Sequence, residues 1–527
     1  MDNDAGLYIT DGKVIWETGK VFRNNIYSYT EPDYPVYDHH WLSSVVFYLT
    51  HEFFGFKGLT ILKTIILLSA FSVLFLVALQ KSDFWLVALF SLPTILILSW
   101  RNRIRPEMFS YLFIALFLYL LFDLEKHPER KRIFWLIPLQ ILWINFHLFF
   151  FVGTALVGGF LFEKIIFHIP KKFWKLNFKD LWNDPVIKKL LLILPVLILV
   201  TFLNPNGIEG VLAPLKTHSY ATFTVSENQP LFNLKASLFS WDIFSSAFVP
   251  MIAVFLFSFL FGFRNKPVFF LLAGFGSAGA ALLQVRLATL FALIFLLAVS
   301  SNFNGIFLTI RNWFKQKLPK ITVVLGYGLA VIIAAAYPYK IYDNNVSATE
   351  RGYKTDWGVG LDGQSNGAGE FFKNNNLKGP IFNDYDIGGY IIYHLFPDEK
   401  VFVDNNGADS YPVSFFDDVF MPVLHQEDKW KEVSEKYGIN AIVISLRDGS
   451  PAVANFIWRR FRDNSWALVY ADTYFIILLR NVSENQEIIK KFYITSKNAN
   501  EKLKHLLESE NVLDKIKMSA CPNSPKA

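Results

Sequence analysis

The sequence predicts an α-helical polytopic membrane protein of about ten transmembrane helices with a C-terminal extracytoplasmic α/β domain. Three observations predict it. Of 527 residues, 53% are hydrophobic, only 18% are charged and 54 are phenylalanine, a balance that calls for lipid as solvent. Apolar stretches recur between residues 59 and 339. Beyond residue 340, Asn, Asp and Gly become frequent, and short β-rich runs replace the long apolar ones.

Residues 1–58 read as an external N-terminal loop with an amphipathic segment, Leu7 to Trp16, and hold 8 acids against 4 bases. Neither a basic n-region nor an apolar h-region precedes position 41, so no cleavable signal peptide is expected and the first span does the targeting. The transmembrane domain, 59–339, contains apolar stretches near 59–79, 84–99, 107–122, 133–145, 148–167, 190–203, 247–263, 267–283, 287–301 and 321–338. Several fall short of the roughly 20 residues that a crossing takes. Interfacial Trp85, Trp100, Trp135 and Trp143 extend them.

Loop charge sets the expected orientation. Loops 80–83, 123–132, 168–189, 264–266 and 302–320 carry 17 Lys and Arg, whereas the alternate loops carry 6. The first set is then cytoplasmic, and the N-terminal tail, the 204–246 loop and the C-terminal domain lie outside a plasma (inner) membrane. Residues 59–339 hold 25 bases and 11 acids, so the net charge of +6 arises in the membrane region. Short basic loops between apolar helices signify orientation rather than nucleic-acid binding. A single cysteine, Cys521, excludes an intrachain disulfide and a thiolate zinc site.

In 340–481, Lys400-Val-Phe-Val-Asp404, Ala441-Ile-Val-Ile-Ser445 and Tyr474-Phe-Ile-Ile-Leu-Leu479 read as strands, with a helix over 428–437. The pattern predicts an α/β domain with some parallel pairing and a final antiparallel hairpin. Residues 482–527 form a charged, helix-prone tail. There is no repeat of 20–50 residues and no inverted match of two halves, which weighs against a transporter.

Polar groups inside apolar sequence mark the candidate site, because an arginine at membrane depth costs at least ~2.5 kcal/mol on insertion scales. Arg101-Asn-Arg-Ile-Arg-Pro-Glu107 puts three arginines in a loop on the side where basic residues are sparse. Arg103 and Arg105, with Glu107 beside them, are either contacts for a lipid phosphate or snorkelled interfacial side chains. Arg286 is the only charged residue between Val268 and Ser301 and has the same two readings. Trp143-Ile-Asn-Phe-His147 places an amide and an imidazole in an apolar run, where Asn145 and His147 either line a polar cavity or finish a helix. Asn204-Pro-Asn-Gly207 is turn chemistry, and Glu227 is either an acceptor-positioning carboxylate or a solvated loop acid.

The N-terminal segment supplies the opposite charge. Asp2 and Asp4 alternate, and Asp38-His-His-Trp41 precedes an amphipathic helix. A carboxylate at the membrane face can take a proton from an acceptor as it attacks an anomeric carbon, while cations stabilise the departing phosphate. Asp2 and Asp4 are also a possible divalent-cation site; no other cofactor is implied. In the C-terminal domain, Gly388-Gly389 after Asp384 and Asp386 is either a phosphate-binding turn or a turn for close packing. Asp404-Asn-Asn-Gly407 fits either a ligand contact at a strand end or an ordinary turn.

These segments, taken in order, resemble a bacterial family of multipass proteins related to the GT-C glycosyltransferases. The resemblance rests on Asp2-Asn-Asp4, the Gly19–Thr30 run ending Tyr-Ser-Tyr-Thr, Asp38-His-His-Trp-Leu42, Arg105-Pro-Glu107, Trp143-Ile-Asn-Phe-His147, Asn204-Pro-Asn-Gly207 and Glu227. Asn383-Asp-Tyr-Asp-Ile-Gly-Gly-Tyr390, Phe396-Pro397 and Val401-Phe-Val-Asp404 carry it through the C-terminal domain. It implies a GT-C-like fold and a donor sugar on a polyprenyl phosphate or diphosphate, transferred to an extracytoplasmic glycan, lipid or protein acceptor. An acid of the first external loop would be base or metal ligand, which points to Asp4 or Asp2 first and Asp38 second. Arg103, Arg105 and Arg286 would contact phosphate, and His39, His40 and His147 would line the cavity. The chain departs from the family pattern in starting beside the acidic pair and in carrying His40 where a glutamate is usual. A membrane scaffold with an external binding domain and a lipid-linked glycan transporter are the alternative classes.

Overall fold

The computed structural model describes residues 3–101, 103–168, 178–216, 230, 243–260, 268–317, 366–446, 450–472 and 474–494. In chain order its first helices are α1 (Asn3–Thr18), α2 (Trp41–Leu79), α3 (Phe84–Trp100), α4 (Glu107–Lys126), α5 (Leu136–Phe146) and α6 (Phe150–His168). There follow α7 (Phe178–Asn183), α8 (Pro185–Val200), α9 (Gly207–Lys216), α10 (Ile243–Leu260), α11 (Val268–Leu283) and α12 (Ala288–Lys317). Nine of the ten apolar stretches coincide with helices, and the tenth, 321–338, lies outside the described residues.

The protein is a multipass membrane protein. Among the described residues, Trp41–Leu79, Glu107–Lys126, Phe150–Phe167 and Val285–Trp313 are long and apolar enough to cross a bilayer, and four shorter apolar helices accompany them. Sequence-local chemistry sets several ends. Asp83 caps α3 by accepting from the amide of Trp85 at 3.1 Å. Asp184 caps α8 through Val186 and Ile187, with Pro185 at the first helical position. Within α2, Gly55 breaks the helical path at φ 62°, a left-handed conformation that favours glycine.

Two compact units make up the chain: Met1–Asp38, Ser44–Thr60 and Ile341–Ala527 form one, while His39–Ser43 and Ile61–Lys340 form the other. In the second, α12 packs on α3, α10 and α11, and α6 on α4, α8 and α11. Charged side chains are paired there: Lys81 and Lys164 share Glu125, and Arg130 holds Asp123 at 3.1 Å.

The first unit is built on a four-stranded sheet of order β1-β2-β4-β3: β1 (Ile381–Asn383), β2 (Ala441–Ser445), β3 (Trp466–Ala471) and β4 (Phe475–Arg480). The first pair is parallel and the other two pairs are antiparallel. Its helices include α13 (Gly367–Asn374), α14 (Gly388–Leu395), α15 (Glu427–Lys436), α16 (Pro451–Phe461) and α17 (Gln486–Phe492). One apolar cluster lies on each face of the sheet, around Phe382 and Trp430 on one and around Ile381 and Tyr390 on the other.

The 400–404 run is not a strand of this sheet. Val401 makes a single parallel bridge to Ser28, because Tyr27 and Tyr29 of the N-terminal segment take its backbone groups at 3.0 and 3.3 Å. Helix α1 packs on α14, where a Cβ added at Gly6 would lie 2.6 Å from the Gly389 carbonyl oxygen. The Gly-Gly pair thus serves close packing: a Cβ at Gly388 would stand 2.4 Å from Asp404 Cα.

Candidate functional site

The membrane unit brings polar groups from four separate segments to one place. Arg101 ends α3 and Glu107 opens α4, so the six-residue loop turns the guanidinium onto the carboxylate. Nε and Nη2 donate to the two Glu107 oxygens at 2.7 and 2.9 Å, a bidentate pair with both residues buried. Arg105 is half-buried and Arg103 is exposed. Arg286 is half-buried in the 3₁₀ turn Val285–Leu287, between α11 and α12.

The end of α5 carries a further set of hydrogen bonds. Trp41 Nε1 donates to Asn145 Oδ1 at 2.8 Å, and Asn145 Nδ2 donates to the carbonyls of Ile141 and Leu203 at 2.8 and 3.0 Å. The Ser43 hydroxyl donates to the carbonyl of Phe146 at 2.6 Å. Trp143 Nε1 donates to Ser110 Oγ at 2.8 Å, and Ser110 is 2.9 Å from His147 Nδ1. Burial lowers the His147 pKa well below the ordinary imidazole range, and the nearby basic groups His39, His40, Arg286 and Arg101 lower it further. Arg101 and Arg286 both lie near enough to His147 to bear on it, and Arg101 is itself paired with Glu107.

A second polar cluster lies in the unit that carries the sheet. Asn405 Nδ2 donates to Asp4, and its Oδ1 accepts from the amide of Gly389 at 3.0 Å. Asp404 is buried; it accepts from the amide of Asn406 at 2.9 Å and from the Tyr411 hydroxyl at 3.0 Å. With Gly407 at φ 59°, this is turn chemistry at a chain reversal. Asp11 accepts from the Tyr27 hydroxyl at 2.7 Å.

Burial pushes the Asp404 carboxyl up to about 6, offset in part by its two hydrogen bonds. The folded pKa lies above the unfolded one, so the stabilising contribution is full below about pH 4 and is lost as pH rises through about 6. Asp404→Asn is therefore expected to flatten the stability–pH curve between those values and to melt no earlier than wild type at pH 7. Thermal unfolding across pH 4–8 reads this directly.

Comparison with solved structures gives a likeness over most of the chain. The archaeal oligosaccharyltransferase of Archaeoglobus fulgidus, tethered with an acceptor peptide containing the NVT sequon, matches with a TM-score of 0.57 at 13% identity, over 92% of this chain and 70% of that one. AglB from the same organism, in complex with an inhibitory peptide and a dolichol-phosphate, matches at 0.56 and 13%, over 89% and 69%. The fold resembles that of archaeal oligosaccharyltransferase. No family model and no curated protein matches the chain.

Of the residues singled out in the sequence, His39, His40, Asn145, His147, Glu107 and Arg286 all belong to the membrane unit. Glu107 is turned onto Arg101, and Arg103 faces outward. Asp38 is buried one peptide bond before His39. Asp4 sits with Asn405; Asp2 and Glu227 lie outside the described residues. Among the described residues, no three His, Cys, Asp or Glu side chains converge on a possible metal position. Sequence reading missed Ser110, and it read Trp143 as an interfacial residue, whereas Trp143 is fully buried and donates to Ser110. A hydroxyl in an apolar run carries no local signal, because its role depends on which helix faces it.

Proposed function

We propose that this protein is a membrane glycosyltransferase that moves a sugar from a polyprenyl-phosphate-linked donor to an extracytoplasmic glycan, lipid or protein acceptor. The observation that carries the reading is the gathering of Arg101, Arg286, His39, His40 and His147 in one membrane unit, in a fold similar to a protein solved with dolichol-phosphate. Guanidinium groups pair with phosphate through charge-assisted hydrogen bonds, and a polyprenyl phosphate presents such an anion to a membrane protein.

In the transfer, a lone pair of the acceptor forms the bond to the anomeric carbon, and the bond from that carbon to the phosphate oxygen breaks. The electron pair leaves with the lipid phosphate, where Arg286 and Arg105 offset its charge, and the acceptor proton passes to a carboxylate. Asp4 is the first candidate for that base and Asp38 the second. A divalent cation, if one is used, would be held by Asp2 and Asp4.

The test is transfer of labelled sugar by the purified full chain from a panel of polyprenyl-phosphate donors. Wild type is expected to turn over at least one donor, and Arg286→Ala and Arg105→Ala to weaken donor binding by about tenfold to a hundredfold each. Binding of lipid-linked sugar without turnover of any donor would move the protein to the binding class.

A further inference from the structure

Ser110 is fully buried on α4, and its hydroxyl has two partners among the described residues: the Trp143 indole at 2.8 Å and His147 Nδ1 at 2.9 Å. An indole N–H only donates, so it must take a lone pair of Ser110 Oγ. The hydroxyl proton is left with a single acceptor, His147 Nδ1. If Nδ1 carried a proton instead, Ser110 would hold a buried O–H with nowhere to donate, which native interiors avoid.

In the neutral ring that burial and the surrounding charges favour, the proton then sits on Nε2. Nε2 has no hydrogen-bond partner among the described residues, and the ring is half-buried rather than sealed. Its neighbours are His39, His40, Arg286 and Arg101, with Glu107 held by Arg101. A donor without charge of its own, near the Arg286 and Arg101 guanidiniums, suits an anionic oxygen: it adds a hydrogen bond and no repulsion. A metal ion would need the lone pair that Nε2 does not have in this tautomer.

We propose that the Nε2–H of His147 donates to a phosphate oxygen of the lipid carrier, with Ser110 and Trp143 as positioning residues that fix the imidazole tautomer. This deepens the glycosyl-transfer reading and rests on it. The donor is expected to serve equally before transfer, when the phosphate bears the sugar, and after it, when the phosphate is free, because either form presents unesterified oxygens.

The experiment uses the full chain in detergent, labelled with ¹⁵N-histidine and titrated with a short-chain polyprenyl monophosphate; the His147 signals are assigned by their loss in His147→Gln. Wild type is expected to show the Nε2–H tautomer and a shift of that nitrogen on binding. Ser110→Ala is expected to turn the single tautomer into a mixture. His147→Leu should weaken binding by about tenfold or more. His147→Gln, whose amide N–H falls near the Nε2 position, should recover most of that loss, and His147→Asn should not. An Nδ1–H tautomer in wild type, or equal weakening by Gln and Leu, overturns the inference while the phosphate site stands. Absence of phosphate binding by wild type sinks the glycosyl-transfer reading, and the ligand assigned to His147 falls with it.

Discussion

Asp4→Asn is expected to lower glycosyl transfer by about 10²–10⁴-fold, the usual contribution of a positioned base, and to leave binding of the lipid donor unchanged. The substitution is nearly isosteric. Asparagine keeps an oxygen that can accept from Asn405 Nδ2, so the packing of α1 on α14 survives and only the capacity to accept a proton is lost. Asn405→Ala is expected to give a smaller loss, because it releases the carboxylate without removing it. Transfer rates measured at saturating donor separate chemistry from binding. Should Asp4→Asn turn over at the wild-type rate, the base is Asp38, and Asp38→Asn must then carry the loss.

Glu427→Gln is expected to destabilise the sheet-bearing unit by about 3 kcal/mol, because it leaves a buried guanidinium short of a counter-charge. Arg460 is fully buried on α16, where it lies over the rings of Trp430 and Phe456 at 5.0 and 5.3 Å. Glu427 accepts from it with both oxygens, and Asp463 accepts at 2.8 Å. The opposite substitution is expected to be mild. Arg460→Met removes the buried charge, fills the space with apolar atoms and leaves Glu427 near the surface with Arg459 at 3.1 Å, so its cost is within about 1 kcal/mol. Thermal unfolding followed by tryptophan emission tests the asymmetry. Equal losses in both variants would mean that the pair itself, and not the orphaned charge, carries the stability.

Several elements were readable from local chemistry. Ala441–Ser445 is a strand as read, since four consecutive apolar residues, three of them β-branched, suit a strand buried on both faces. The helix over 428–437 appears as α15, one residue earlier at each end, and the final hairpin as β3 and β4. The 400–404 run has the same local look and is no sheet strand, because the hydrogen bonds go to Tyr27 and Tyr29, nearly four hundred residues earlier in the chain. Nothing local announces so distant a partner.

The site divides in the same way. Arg286 and His147 stood out singly, because a charged or imidazole side chain in an apolar run is expensive wherever it lies. Their shared location with His39, His40 and Arg101 did not follow from spacing, and neither did the path from Trp143 through Ser110 to His147.

By itself the sequence determined that this chain spans a bilayer several times and ends in an α/β domain, because hydropathy and strand periodicity are summed over residues that adjoin one another. Tertiary structure alone decided what each span faces. Trp41–Leu79 and Glu107–Lys126 are both long and apolar, yet 28% of the apolar window is buried within the protein in the first and 83% in the second. Lipid tails are as apolar as leucine, so hydropathy cannot tell a lipid-facing helix from an enclosed one. Packing can, and by enclosing Glu107–Lys126 it sets Glu107 against Arg101 and Ser110 against His147.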